Sequence, residues 1–462
     1  MIQDELELYE DLLTKVDSED RVSRKRLERL KEGLKERLEA LSTRKDDLLT
    51  ISEIGVDQII VDEAQEFRKL SFATNMSTLK GIDPNGSQRA WDLYVKSRFI
   101  EAKNPGRALV LASGTPITNT LGEMFSVQRL LGHAALVERG LHEFDAWAST
   151  FGDTTTELEI QPSGRYKPVS RFASFVNVPE LIAMFRSFAD VVMPEDLRDY
   201  VRVPNLSTGR RQILTAKPTQ AFKNYQTILD ARIKGIEMRE GPAQPGDDIL
   251  LSVITDGRHA AIDLRLVDPD SVNEPENKLN LLVQNAFRIW QETSQRTYLR
   301  PDGKQFDLAG AAQMIFSDLG TINVEKTRGF SAYRWIRDEL VRMGVPPAEI
   351  AFMQDYKKTE AKQRLFADVR AGKVRFLIGS SETMGTGVNA QLRLKALHHL
   401  DVPWLPSQIE QREGRIVRQG NQHDEVDIFA YATQGSLDAA MWQNNERLHC
   451  RGTLRRHLDP TA

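Results

Sequence analysis

The chain has 462 residues, of which 40% are hydrophobic and 28% charged, with a formal net charge of -4. That length suits two or three domains, the apolar content excludes a mostly disordered chain, and the charge balance excludes nucleic-acid binding by a whole-molecule basic field. The single cysteine, Cys450, excludes internal disulfides and multi-cysteine zinc sites. No apolar run reaches membrane-spanning length, and the acidic start Met1-Ile2-Gln3-Asp4-Glu5 lacks a signal-peptide pattern, which points to the cytoplasm.

Residues 1–50 contain no proline and one glycine, Gly33. Leu27, Leu34, Leu41 and Leu48 fall seven apart among interleaved acids and bases. This predicts a charged helical segment that packs as a coiled coil. Ile59-Ile60-Val61 then reads as a buried parallel strand ending in Asp62-Glu63-Ala64-Gln65. Function in open α/β sheets sits past the carboxyl ends of strands, and adjacent acids there suit metal-phosphate chemistry. The bland alternative is an acidic turn.

Residues 89–103 read as an amphipathic helix. Arg107-Ala108-Leu109-Val110-Leu111-Ala112 is expected as a second buried strand, running into Ser113-Gly114-Thr115-Pro116-Ile117-Thr118-Asn119. Hydroxyls beyond a strand end can bridge to the carboxylates of a neighbouring strand. Residues 133–240 are less legible: helices are expected around Phe144 to Ala148 and Pro179 to Phe185, with a turn at Gln161 to Arg165. Glu240 to Asp248 reads as a linker, and Asn277 to Gln291 as a helix.

From residue 301, strand and helix patterns alternate. Strands are expected at 312–318, 350–353, 374–379, 396–400 and 426–431, and helices at 332–343 and 359–371, the latter closed by Gly372. This alternation predicts a parallel, doubly wound sheet. His398 and His399, side by side in a strand, face opposite ways, one of them buried. The six tryptophans are expected in cores. Between the strands lie Gly385-Thr386-Gly387-Val388-Asn389 and Gln411-Arg412-Glu413-Gly414-Arg415-Ile416-Val417-Arg418. Arginines three apart fall on one face of a helix, which is either a solvated basic face or one that calls for an anion opposite, with polyphosphate the natural match for guanidinium forks.

Asp62-Glu63-Ala64-Gln65, Ser113-Gly114-Thr115-Pro116, Gly385-Thr386-Gly387-Val388-Asn389 and Gln411 to Arg418 occur in the order of motifs II, III, V and VI of superfamily two helicases. The second resembles the Swi/Snf-type branch of double-stranded DNA translocases. With Phe144-Asp145-Ala146-Trp147-Ala148 and the charged start, the chain resembles the helicase portion of large phage and plasmid methylase-helicase proteins, some linked to antirestriction. The resemblance implies two RecA-like α/β domains with ATP between them, and movement on DNA. It implies that Asp62 holds Mg2+, Glu63 activates the hydrolytic water, and Gln65, where His is commoner, couples the nucleotide to Ser113 and Thr115. Gly385, Thr386, Gly387 and Asn389 would link DNA contact to the nucleotide, Gln411 would sense it, and Arg415 and Arg418 would serve as arginine fingers. Arg412 is left for packing or an ion pair.

One family element is missing. No Gly-x-x-x-x-Gly-Lys-Ser/Thr loop occurs; the Gly-Lys pairs are Gly303-Lys304-Gln305 and Gly372-Lys373-Val374. The expectation is therefore a C-terminal portion of a larger translocase, its first RecA-like domain completed by an N-terminal segment in the same or a neighbouring chain. The alternative is an ATPase-deficient nucleic-acid-binding or scaffold module. The expected organisation is a charged coil over 1–50, part of the first RecA-like domain with a helical insertion over 51–240, a linker and helix over 241–300, the second RecA-like domain over 301–440, and a helical tail over 441–462.

Overall fold

The computed structural model describes residues 28, 31–33, 35, 51–76, 79, 82–114, 122–160, 166–192, 196–197, 199–241, 243–384 and 388–451. Nearly all of the expected N-terminal coil, the turn at 161–165, Thr115, Gly385, Thr386 and Gly387 lie outside these residues. The chain divides into two units, one ahead of Val192 and one from Val192 onward.

In the first unit β1 (Ile59–Val61) and β2 (Leu109–Leu111) pair in parallel, with Ile60 opposite Val110. A parallel pair requires a crossover. Here it contains α1 (Gln88–Glu101), whose N-cap Ser87 side chain accepts from the Ala90 N–H. One face of the pair is packed: Val61, Ala64 and Leu93 form a buried cluster bordered by Leu109 and Leu111. The other face is open, with Ile60 72% and Val110 43% exposed. The expectation of fully buried strands is thus corrected, because side chains alternate along a strand and this pair is covered on one side only.

The rest of the unit is aromatic. Phe72 stacks on Phe144 of α3 (Phe144–Phe151) at 4.1 Å between ring centroids, and Phe125 of α2 (Gly122–Leu131) meets Phe144 edge-on at 5.3 Å. Buried Trp147 donates Nε1–H to Gln128 Oε1 at 2.6 Å. β3 (Gly152–Ile160) and β4 (Tyr166–Phe175) form a long antiparallel hairpin, followed by α4 (Val178–Arg186). These two strands are illegible in sequence because Thr154-Thr155-Thr156-Glu157 offers β-branched residues without apolar alternation.

The second unit is built on one sheet, all of whose pairings are parallel. It comprises β5 (Asn205–Leu206), β6 (Gln212–Ala216), β7 (Ala312–Phe316), β8 (Ile350–Phe352), β9 (Phe376–Gly379), β10 (Leu394–His399) and β11 (Glu425–Thr433). The order is β5-β11-β10-β7-β9-β8, and β6 also pairs with β11. Side chains alternate between two cores. Ile315, Ile378, Ala396 and Phe429 join residues of α7 (Lys278–Glu292) and α8 (Ala332–Arg342). Met314, Phe316, Leu377, Leu397 and Ile428 join Leu365, Phe366 and Val369 of α9 (Thr359–Ala371). Both faces are covered, as parallel sheets require.

The boundary between units falls at Val192 rather than at 240. The reason is pairing: β6 runs beside β11 from Gln212↔Phe429 to Ala216↔Thr433. α5 (Gln220–Glu237) and α6 (Leu250–Ile262) then pack on the same unit, where Phe222 is buried with Ala260 and Ala261. The expected linker at 240–248 is the loop between these two helices. It is pinned by Arg232, which donates to Asp248 and Asp256 at 2.6–2.8 Å. Most tryptophans fit the core expectation at least partly, but Trp404 is 54% exposed.

Candidate functional site

In the first unit the site begins where β1 ends. The Ala112 N–H donates to the Val61 carbonyl at 2.8 Å, and the Ala64 N–H to the Ala112 carbonyl at 3.0 Å, so the segments leaving both strands stay in step. Glu63 takes a left-handed conformation, φ 55°, ψ 46°. Non-glycine residues adopt it at a cost of about 1 kcal/mol, and such strain concentrates at functional positions. The Glu63 N–H donates to Asp62 Oδ1 at 2.9 Å. Asp62 is exposed and Glu63 partly buried.

Gln65 is buried and joins the two strand ends. Its Nε2 donates to Glu63 Oε2 at 2.5 Å, and its Oε1 accepts from Ser113 Oγ at 2.7 Å. An amide suits this place because it offers a donor to one neighbour and an acceptor to the other. The structure therefore brings Asp62, Glu63, Gln65 and Ser113 together; their Thr115 neighbour is outside the described residues.

In the second unit the arginine segment differs from the expected helix face. α10 (Pro406–Glu413) ends at Glu413, with Gly414 as its C-cap. Tight turns follow: Arg415 N–H to Arg412 O at 3.1 Å, Val417 N–H to Glu413 O at 3.0 Å and Arg418 N–H to Ile416 O at 2.9 Å. Ile416, fully buried among Met384, Val388 and Ile428, draws the chain into the core and stops the helix. The three arginines separate. Arg412 is buried, Arg415 partly buried and Arg418 exposed, its Nη1 donating to Val388 O at 3.1 Å. Gln411 sits partly buried on α10, and Asn389 is exposed, its carbonyl accepting from Arg370 at 2.5 Å.

Arg412 is enclosed by acceptors at the carboxyl ends of β7, β9 and β10. Its Nη1 and Nη2 each donate to Asp401 Oδ1 at 3.0 Å, Nη2 to Asp318 Oδ2 at 2.9 Å, and Nε to Ser381 Oγ at 2.8 Å. Asp401 Oδ2 accepts the Asp318 N–H at 2.7 Å, and Asp318 Oδ1 the Ser381 N–H at 2.6 Å. Burial pushes the Asp401 carboxyl up, with Arg412 opposing it and Asp318 adding to it. Sequence leaves Arg412 for packing or an ion pair and points to neither Asp318 nor Asp401 as its partner. The available signal was that each acid stands two residues past the end of a strand.

Glu413 accepts from Arg211 Nε at 2.6 Å and meets His399 Nε2 at 3.2 Å. Although burial pushes its carboxyl up, His399 and Arg211 hold it down to about 2. Burial lowers His399 to about 4, so at neutral pH it is uncharged. It then donates Nε2–H to Glu413 and keeps Nδ1 as an acceptor 3.5 Å from Arg412 Nη1. His398 is buried as well, against the expectation of one buried histidine. Its ring lies 2.8 Å from the Tyr431 hydroxyl and 2.9 Å from Gln313 Oε1, because the sheet is covered on both faces.

Residues 1–193 match the model of a family described as a probable helicase domain, and residues 324–420 match the helicase conserved C-terminal domain. The chain is 20% identical over 500 aligned residues to the Defense against restriction protein B of Escherichia phage P1, covering 84% of this chain and 22% of that protein. It is 33% identical over 91 residues to the uncharacterized ATP-dependent helicase YqhH of Bacillus subtilis (strain 168), covering 20% of this chain and 15% of that one. The matches thus span about a fifth or less of these relatives' lengths. Among solved structures, the C-terminal part of the Fun30 ATPase domain aligns at a TM-score of 0.36 and 13% identity, over 52% of this chain and 88% of that one. The DUF1998 helicase MrfA bound to DNA aligns at a TM-score of 0.28 and 13% identity, over 37% and 20%. The two family matches contain the four motif segments, and the chain is helicase-like. Among the described residues, no helix is long and apolar enough to cross a membrane.

Proposed function

We propose that this chain is a module of an ATP-dependent translocase or helicase acting on double-stranded DNA. The observation that carries the reading is the Glu63–Gln65–Ser113 relay beside Asp62, at the carboxyl ends of two parallel strands. The residues fit a hard cation with phosphate: an exposed carboxylate, Asp62, stands next to a partly buried second one. Asp62 would hold Mg2+ and Glu63 would orient and deprotonate the attacking water. Gln65 would carry the state of Glu63 to Ser113 and Thr115. When bound, Mg2+ neutralises phosphate charge. Arg415 and Arg418 would supply positive charge to the phosphates, Gln411 would sense the nucleotide, and Gly385, Thr386, Gly387 and Asn389 would link DNA to it.

The open Ile60–Val110 face supports a further part of the reading. Parallel sheets are covered on both faces. In this reading, the phosphate-loop segment of a complete RecA-like domain, in the same or a neighbouring chain, packs there.

The test is DNA-stimulated ATP hydrolysis in the full-length protein. Glu63→Gln and Arg418→Ala are each expected to lower turnover by about 1000-fold, the scale of losing a general base or an arginine finger. Unchanged turnover in both variants rejects the assignment. For the 462-residue chain by itself, little or no hydrolysis is expected.

A second reading, an ATPase-deficient nucleic-acid-binding or scaffold module, is favoured by the absent Gly-Lys-Ser/Thr sequence. Salt-dependent DNA binding with no response to nucleotide in the full-length protein would select it.

A further inference from the structure

In a doubly wound sheet, ligands bind in the crevice between adjacent strands whose connections leave in opposite directions. In the second unit those strands are β7 and β10. The connection after β7 leads towards β8 on one side, and the connection after β10 leads to β11 on the other. At their carboxyl ends stand Asp318 and Asp401, and between these two carboxylates lies the guanidinium of Arg412. The place where such a sheet would take a ligand is filled by the chain's own side chain.

We propose that Arg412 and Glu413 form a positioning clamp, which fixes the turn 414–418, and with it Arg415 and Arg418, to the strand ends. The proposal rests on the reading of Arg415 and Arg418 as phosphate-directed groups. Three observations carry it. First, Arg412 and Glu413 are the last two residues of α10, immediately ahead of that turn. Second, they are held from different elements: Arg412 by Asp318 after β7, Ser381 after β9 and Asp401 after β10; Glu413 by His399 of β10 and Arg211 ahead of β6. Third, every guanidinium nitrogen of Arg412 has an acceptor, so its orientation is fixed rather than merely its charge compensated.

The clamp also explains why a buried cation occupies this crevice. A buried ion pair is weak evidence for stability, since well-packed apolar residues often do as well. What an arginine with all its nitrogens satisfied from three strand ends adds is one geometry. The turn it holds carries no regular backbone ladder of its own, and Ile416 supplies its one fully buried apolar anchor. Arg412 and Glu413 act through the residues that follow them and not by touching nucleotide.

The experiment is a double-mutant cycle on DNA-stimulated hydrolysis by the full-length protein, with hydrogen exchange as a second measurement. Arg412→Lys keeps the charge and loses the fork. It is expected to lower kcat about tenfold with KM for ATP changed by less than about twofold, and to add less than about twofold in an Arg418→Ala background. Glu413→Gln, which keeps the shape, is expected to act in the same direction and more weakly. Equal losses with and without Arg418, or a raised KM at unchanged kcat, overturn the clamp. In the 462-residue chain, Arg412→Lys is expected to speed amide exchange across 414–420 at least about tenfold while β7, β9 and β10 stay protected. Unchanged exchange there overturns the clamp whether or not the protein hydrolyses ATP. Absence of hydrolysis in the unsubstituted full-length protein removes the phosphate role of Arg415 and Arg418 instead, and exchange alone then decides the clamp.

Discussion

Two adjacent histidines in β10 show how burial sets the chemistry of single residues. Burial lowers His398 to about 3 and His399 to about 4 from an ordinary 6.5. Neutral imidazole is thus the folded form, and it is the form that the hydrogen bonds to Tyr431, Gln313 and Glu413 use. The unfolded chain binds protons more readily below pH 6.5. The stabilising contribution is therefore complete above that pH and is lost as pH falls towards 4. Urea unfolding of the second unit at pH 7, 6 and 5 should show stability falling by up to about 1 kcal/mol per pH unit for each histidine. His398→Gln should flatten that slope by one histidine's share. Glu413, held down to about 2, adds its own loss only below the ordinary carboxylate range.

Among elements, two helix ends show what sequence can and cannot tell about the site. α9 ends as expected at Gly372, whose φ of 86° is left-handed. A Cβ there would lie 2.2 Å from Arg393 Nη1, a group that also donates to the Leu308 and Gly310 carbonyls at 3.1 Å. Gly372→Ala should therefore destabilise the second unit by at least about 1 kcal/mol, seen as a lower urea midpoint at unchanged slope. α10 is the opposite case. Arg412, Arg415 and Arg418 have helical spacing, and sequence alone extends the helix through all three. Burial of Ile416 and the capture of Arg412 by carboxylates ended it at Glu413. Local spacing carries no information about those distant partners. β7 and β9 were legible because they are apolar nearly throughout, and β10, with Lys395, His398 and His399 among its residues, because it falls in the strand–helix alternation, whereas β6 was not: Gln212-Ile213-Leu214-Thr215-Ala216 declares itself only by pairing with β11.

For the whole molecule, the division at Val192 changes what can fold separately. A fragment covering 192–451 keeps β6 on β11 and α5 against α6. It should unfold cooperatively in urea. A fragment starting at 241 leaves the edge of β11 and the surfaces of Ala260 and Ala261 bare, and should show a shallow transition with exposed apolar surface. Comparable steep transitions in both would reject the boundary.

The sequence by itself determined the α/β class, strands β7 to β11 of the second sheet, and the order of the four motif segments, because each is written in local periodicity or in contiguous residues. It also placed Asp62 and Glu63 at a strand end. Only the tertiary structure decided that Gln65 bridges Glu63 to Ser113, that the β1–β2 pair keeps an open face, and that Arg412 lies between Asp318 and Asp401 while Arg415 and Arg418 leave the helix. Those outcomes depend on groups 48, 94 and 11 residues apart in the chain meeting at strand ends, and distance in sequence says nothing of such meetings until the sheet has formed.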